Sequence, residues 1–347
     1  MEAEGIKRRP SARKTLYVFL ASRIIPGDNS DPMRFPLACL LLALLIAPLR
    51  AADEPFFKKN DVIALIGGED MVVAAEDGYL ETSLVRALPD YHLRFRSLAW
   101  EGDTVFEQHR DLNFPSWEEQ LDKIGATVVI CQFGEMESLA GEEKIPAFIE
   151  AYEKLLDRFS AAGKRRIVIV SPSGFDVSYE SLNQSSFHPT NLEYRPGTKL
   201  GAQEKTLRIY TEAIQKLASA RGYKFHQVFV GIVDAKFHRD GVHLDETGQS
   251  EVGRNLSEDL GVRVTDSPKK ADAEQSLRKL VDAKNKLWFD YWRVQNWAFL
   301  AGDRTNQPSS RDWQDPSKRW FPAEREEFIP LVEGKEKEID ALAAKLK

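Results

Sequence analysis

Cysteine is almost missing from this chain: 347 residues hold two, Cys39 and Cys131. Cys39 sits in an apolar run that continues past it, which argues against a lipid-anchor site. Cys131 lies in the strand-like "ATVVICQFG" (126–134) and reads as packing. Once the N-terminal segment is removed, no internal disulfide is possible. Long hydrophobic runs are missing too. The longest, Phe35–Leu49, falls short of the ~18 or more apolar residues of a spanning helix. It follows Met33 and Arg34 and closes on small residues near Ala51 and Ala52, as a cleaved signal does, the alternative being a membrane anchor. Residues 1–51 therefore read as a targeting segment, with Met33 a second candidate start. The expectation is bacterial-type export to the periplasm or outside the cell, with no stable membrane span after cleavage. An excess of basic charge is also lacking. The formal net charge is −6, and residues 1–51 carry eight Lys/Arg against four Asp/Glu, so removing that +4 leaves −10. That balance argues against nucleic acid as a partner. Internal repeats and low-complexity arrays are absent as well.

What is present is alternation. Short β-rich runs occur at 62–67, 92–100, 126–134, 165–173 and 224–232, and helical patterns fill 78–90, 145–164 and 204–223. Two of those helices end at Gly163 and Gly222, as helix stops do. The spacing predicts an α/β fold, a three-layer α/β/α sandwich on a central parallel sheet, over 56–264. Residues 174–199 show no periodicity and read as a long loop, with a lid role one option. From Pro268 a helical, Trp-rich C-terminal extension (265–347) begins, with one long helix drawn through 269–302. Its aromatic group, Trp288, Phe289, Tyr291, Trp292, Trp297 and Phe299, fits packing at helical spacing better than a sugar-stacking surface. The final helix, 329–347, reads as a solvated, charge-laced surface element.

Four stretches carry the chemistry: "IGGED" after the first strand, "LAWEGDTV" after the second, "FGEMESLAG" after the third and "DGVHLDETGQ" near the domain's end. In this order they resemble the SGNH, or GDSL-like, hydrolase family over about residues 58–262. The resemblance implies a Ser nucleophile in the first block, a Gly backbone N–H in the second, an Asn side chain in the third and an Asp-x-x-His pair in the last. Asp240 and His243 match the acid and base, and Gly102 matches the backbone oxyanion donor. A carboxylate three residues before a His can accept its Nδ1–H and leave Nε2 free to take a proton.

Two positions depart from the pattern. The Ser position falls on Glu69 and the Asn position on Met136, and a one-residue slip onto Asp70 restores no hydroxyl. Loss of one oxyanion donor costs ~10² to 10³ in turnover. Loss of a serine nucleophile costs on the order of 10⁶ in subtilisin. The leading expectation is an incomplete catalytic set around a pocket that binds acylated carbohydrate or another small ester. One competing reading is an active ester hydrolase or deacetylase that uses Glu69, or a relocated Ser138, Ser171 or Ser173, with His243 and Asp240. Paired carboxylates acting on a glycosidic bond, and a divalent metal on Glu69, Glu135, Glu137 and His243, are further options. No recognised metal-ligand spacing is present, and nothing calls for a cofactor. A last reading is an interaction module that relies on the C-terminal helices, with its protein partner unidentified.

Overall fold

The computed structural model describes residues 56–175, 196–228, 237–264 and 271–347. The targeting segment and most of the 174–199 stretch lie outside the described residues. Residues 54–347 form one compact unit.

Strand β1 (Val62–Gly67) runs directly into α1 (Glu69–Asp77), followed by α2 (Tyr79–Ala87), β2 (Arg94–Ser97), α3 (Trp117–Lys123) and β3 (Val128–Gln132). Next come the single turn α4 (Glu135–Ser138), α5 (Ile145–Ser160), β4 (Arg166–Val170), α6 (Pro196–Arg221), β5 (Lys224–His226) and α7 (Glu246–Asp259). The C-terminal part adds α8 (Ala271–Trp292), α9 (Trp297–Leu300), α10 (Trp320–Glu326) and α11 (Phe328–Lys345). Among the described residues the five strands pair in parallel in the order β2-β1-β3-β4-β5.

The apolar strand runs are explained by burial on both faces, as parallel sheets require. Within β1, Ile63 and Leu65 enter one apolar cluster while Ala64 and Ile66 enter the other. β3 and β4 alternate the same way, with Val128 and Val168 on the first side and Val129 and Ile167 on the second. The first cluster is closed by α1, α2, α7, α11 and the start of α8; the second by α3, α5, α6 and the aromatic end of α8. The three-layer sandwich expected from the sequence is what the chain forms.

The C-terminal helices complete the sheet rather than decorate it. β2 is an edge strand, and α8 lies along it. From α8, Lys284 Nζ donates to the carbonyl of Phe95 at 3.3 Å and Trp288 Nε1 to that of Ser97 at 2.7 Å. Side chains thus satisfy polar groups that an uncovered edge would offer to another strand. The close approach needs Gly78 between α1 and α2: a Cβ there would lie 2.8 Å from Asp282 Oδ1, and its φ of +66° is left-handed.

Three elements differ from the sequence reading. α6 starts at Pro196, inside the stretch read as aperiodic. The long C-terminal helix stops at Trp292, because Trp297 turns back to pack on Phe114 at 4.6 Å and donates to the carbonyl of Leu112. The final helix is not a solvated element: Val332, Ile339 and Ala343 are buried, and its acids Glu336 and Asp340 pair with Arg94 and Arg96 of β2. In the aromatic group the packing reading holds for Trp288, Tyr291, Trp292 and Trp297, all buried.

Candidate active site

Two glycines bring the end of β1 against its neighbours. A Cβ on Gly67 would sit 2.5 Å from the Gln132 carbonyl of β3, and one on Gly68 3.0 Å from that of Asp103. The chain then enters α1 with Glu69 and Asp70 in the first turn, where free backbone N–H groups and the helix dipole favour carboxylates.

The Asp240–His243 turn reaches the same edge. An antiparallel bridge between His238 and Leu244 closes it, and His238 Nε2 lies 2.8 Å from the Gly174 carbonyl after β4. Asp240 Oδ1 accepts the backbone N–H groups of Val242 and His243 at 3.1 and 2.8 Å, and Oδ2 lies 2.6 Å from His243 Nδ1. Burial pushes the Asp240 carboxyl up, but the His243 backbone N–H, its imidazole and the Val242 N–H outweigh it and hold it below the ordinary range. An ionised Asp240 fixes the Nδ1–H tautomer, so Nε2 is the free base nitrogen. That Nε2 lies 4.0 Å from Glu69 Oε1. The structure thus brings Glu69, Asp240 and His243 together, and the group facing the base is a carboxylate.

The remaining acids are tied to the frame. Asp70 Oδ2 accepts from the Ser173 backbone N–H at 3.1 Å and from Gln132 Nε2 at 3.2 Å. Glu135 is held far above the usual carboxylate range, first by burial and then by the charge and hydrogen bond of Asp70, with Glu69 and Glu137 adding to it. Glu137 is raised by burial against the opposing effect of its amide contacts. It accepts the N–H groups of Val105 at 2.7 Å and Gly134 at 2.9 Å, tying the loop after β2 to the end of β3. The sequence offers Glu135 and Glu137 as metal ligands; in the structure Glu137 is buried and spent on two amides, and Glu135 is half-buried against Asp70. Asp103 and Arg110 form a bidentate pair at 2.6 and 2.7 Å, with the guanidinium 4.4 Å over Trp100. Nothing local in the sequence points to that pair.

The space left is small. A cavity of about 30 Å³ is lined by Glu69, Asp70, Asp103, Glu135, Met136 and Glu137 with their neighbours, room for a water or two. Met136 sits at its rim, half exposed. Gly102 takes a φ of +79° on the exposed loop after β2 and is not among the lining residues. The alternative nucleophiles are enclosed: Ser138, Ser171 and Ser173 are 2%, 1% and 2% exposed. Ser138 Oγ donates to the Glu135 carbonyl, and Ser171 Oγ donates to Pro172 O while accepting the Val228 N–H. Cys131 is inert: burial pushes its thiol up to about 12. Among the described residues no group of three or more His, Cys, Asp or Glu side chains is placed to hold a metal ion.

Among the described residues, the Nε2 of His243 faces the Glu69 carboxylate and no hydroxyl is hydrogen-bonded to it. The amides of Val105 and Gly134 at this edge are spent on Glu137, and the lining carboxylates oppose negative charge.

No family model and no curated protein matches this chain in sequence. Among solved structures, a gut microbial diltiazem-metabolizing enzyme aligns over 84% of this chain and 95% of its own, with TM-score 0.53 and 11% identity. An acetyl xylan esterase from Geobacillus stearothermophilus aligns over 61% of this chain and 100% of its own, with TM-score 0.42 and 15% identity. A lipase from a goat rumen metagenome aligns over 59% and 99%, with TM-score 0.42 and 14% identity. The fold is the three-layer α/β/α sandwich expected from the sequence, and the enzyme that aligns over 84% of the chain shares it.

Proposed function

We propose that this chain is an exported protein of SGNH ester-hydrolase descent that has lost serine-esterase chemistry and keeps its His–Asp pair beside a cleft for a small acylated ligand, such as an acetylated carbohydrate. The observation that carries the reading is Glu69 Oε1 at 4.0 Å from the free Nε2 of His243, a carboxylate facing the imidazole from the position where the family pattern has a serine. A carboxylate has no proton for that base to remove, and the neighbouring acids withhold the positive potential that a tetrahedral oxyanion needs. A second reading rests on the same contact. Glu69 is partly exposed, and attack of its carboxylate on an ester carbonyl would break the ester C–O bond, release the alcohol with a proton from water and leave an anhydride, which water deprotonated by His243 would hydrolyse to the free acid and Glu69.

Turnover of short-chain aryl esters and acetylated sugars by the wild type, Glu69→Ser, Glu69→Gln and His243→Ala separates the two. The expected result is no turnover in the wild type and measurable esterase activity in Glu69→Ser, abolished again when His243→Ala is added. Wild-type activity lost in both Glu69→Gln and His243→Ala would overturn the proposal in favour of a catalytic Glu69. Silence in both Glu69→Ser and Glu69→Ser/Met136→Asn, which restores the side-chain donor as well, would overturn the claim that the His–Asp pair survives in working form.

A further inference from the structure

A second and far larger cavity, about 720 Å³, lies between the loop before α3, α3 itself and the C-terminal helices, and shares no residue with the small acidic cavity. Its size is in the range of ~300–1,000 Å³ typical of small-molecule sites. Its walls are ring-rich: Phe114, Trp288, Tyr291, Trp292 and Trp297 all line it.

The polar groups around it are mostly spent. Trp288, Trp292 and Trp297 donate their indole N–H groups to Ser97 O, Gln120 Oε1 and Leu112 O. Gln120 Nε2 donates to the Pro115 carbonyl and Asn113 Nδ2 to that of Ala301. Glu119 closes the capping box of α3 with Ser116, and Arg96 is paired with Glu336. The rings thus offer faces and edges to the cavity, and few donors.

Arg325 is the exception. Its Nε donates to the Tyr291 carbonyl at 2.8 Å, and its guanidinium lies 4.3 Å from the Tyr291 ring centroid and 6.0 Å from that of Trp297. Among the described residues no carboxylate pairs with it, which leaves the N–H groups of Nη1 and Nη2 unspent. Beside it Glu326, which also lines the cavity, is held by Lys123 at 3.5 Å and by the Tyr291 hydroxyl at 3.4 Å; the Lys123 and Glu326 side chains are both 55% exposed, a pair loose enough for an incoming anion to compete for the ammonium. A planar guanidinium held by its Nε and stacked on a ring is the arrangement that receives a carboxylate through two parallel N–H···O bonds. The adjoining aromatic walls suit the ring that carries it.

We infer that this cavity is a second binding site, for a carboxylate borne on a ring, with Arg325 as the anion receptor. A sugar acid and an aromatic acid are the two sources of that chemistry. The site is independent of the proposed cleft chemistry.

The test is titration of the intact protein, read by tryptophan fluorescence, with glucuronic acid and benzoic acid against their neutral counterparts glucose and benzyl alcohol. At least one acid should bind tenfold or more tightly than its neutral counterpart, and which one does identifies the source. Arg325→Gln should weaken that binding about tenfold and Arg325→Lys less, because charge is kept and the fork is lost. Lys123→Gln, on an exposed side chain that leaves folding intact, should cost severalfold. Equal affinity for acid and neutral ligand, no binding at millimolar acid, or an Arg325→Gln protein that melts normally and binds like the wild type would each overturn the proposal.

Discussion

Glu135 shows how one side chain at this site departs from the behaviour its residue type suggests. Burial first, and then the neighbouring Asp70, disfavour its ionised form, so at neutral pH it is a neutral carboxyl hydrogen-bonded to Asp70. The sign of its effect on stability follows. With the folded-state value raised, the native protein holds a proton that the unfolded chain releases above its ordinary value of about 4.3. The group's favourable contribution is complete below that value and is lost as pH rises toward the folded-state value, at up to ~1.4 kcal/mol per pH unit. Glu135→Gln keeps the shape and the donor and removes the titration. The variant should match or exceed wild-type stability at pH 5, with its advantage growing steadily to pH 8 in thermal melts. A constant difference across that window would show that Glu135 is not held neutral. Legibility at this scale follows sequence distance. The pairing of Asp240 with His243 can be read from a three-residue spacing, whereas the contact of Glu135 with Asp70 depends on how the segments after β1 and β3 converge at one sheet edge, and that of Asp103 with Arg110 on how a single irregular loop folds back on itself.

Among the elements, α8 carries the least expected contact. Lys284, fully buried, reaches Glu81 of α2 at 2.8 Å, and the carbonyl of Phe95. Burial pushes Glu81 up and Lys284 down, and their mutual attraction offsets only part of either shift. That is the signature of a pair whose desolvation outweighs its Coulomb gain. Lys284→Met alone should cost about 3–5 kcal/mol, because it strands a buried carboxylate. Adding Glu81→Leu should restore most of that loss, read as denaturation midpoints in urea. A double variant no more stable than the single would assign the cost to packing instead. The helical period of α8 is plain in its sequence, but its docking partner is not, since Lys284 and Asn285 look like solvated positions until β2 and α1 are placed beside them. The charges of α11 mislead in the same way: Glu336 and Asp340 answer arginines on an edge strand, and no i,i+4 pattern reveals a partner on a strand.

For the whole molecule, the parallel core is legible because strands buried on both faces leave continuous apolar runs, and no local feature competes with that signal. What the runs do not disclose is which further segments close the layers. Residues beyond 264 read as an extension, yet Leu277, Val281, Ile339 and Ala343 share one apolar cluster with Ile63 and Leu65, while Trp288 and Val332 join the cluster on the opposite face. Both faces of the sheet, and the edge strand between them, therefore draw on the last two long helices. Removing residues 271–347 would expose apolar surface on both sides at once and uncover the Phe95 and Ser97 carbonyls. Deletion should give a protein that aggregates or melts without cooperativity. The chain spanning 54–347 should show a single cooperative transition, since its parts share those clusters. A truncated 54–264 fragment that stays monomeric in sedimentation and unfolds cooperatively would show that the sandwich closes without α8 and α11. In that case the large aromatic cavity would be an addition to a finished fold rather than a product of completing it.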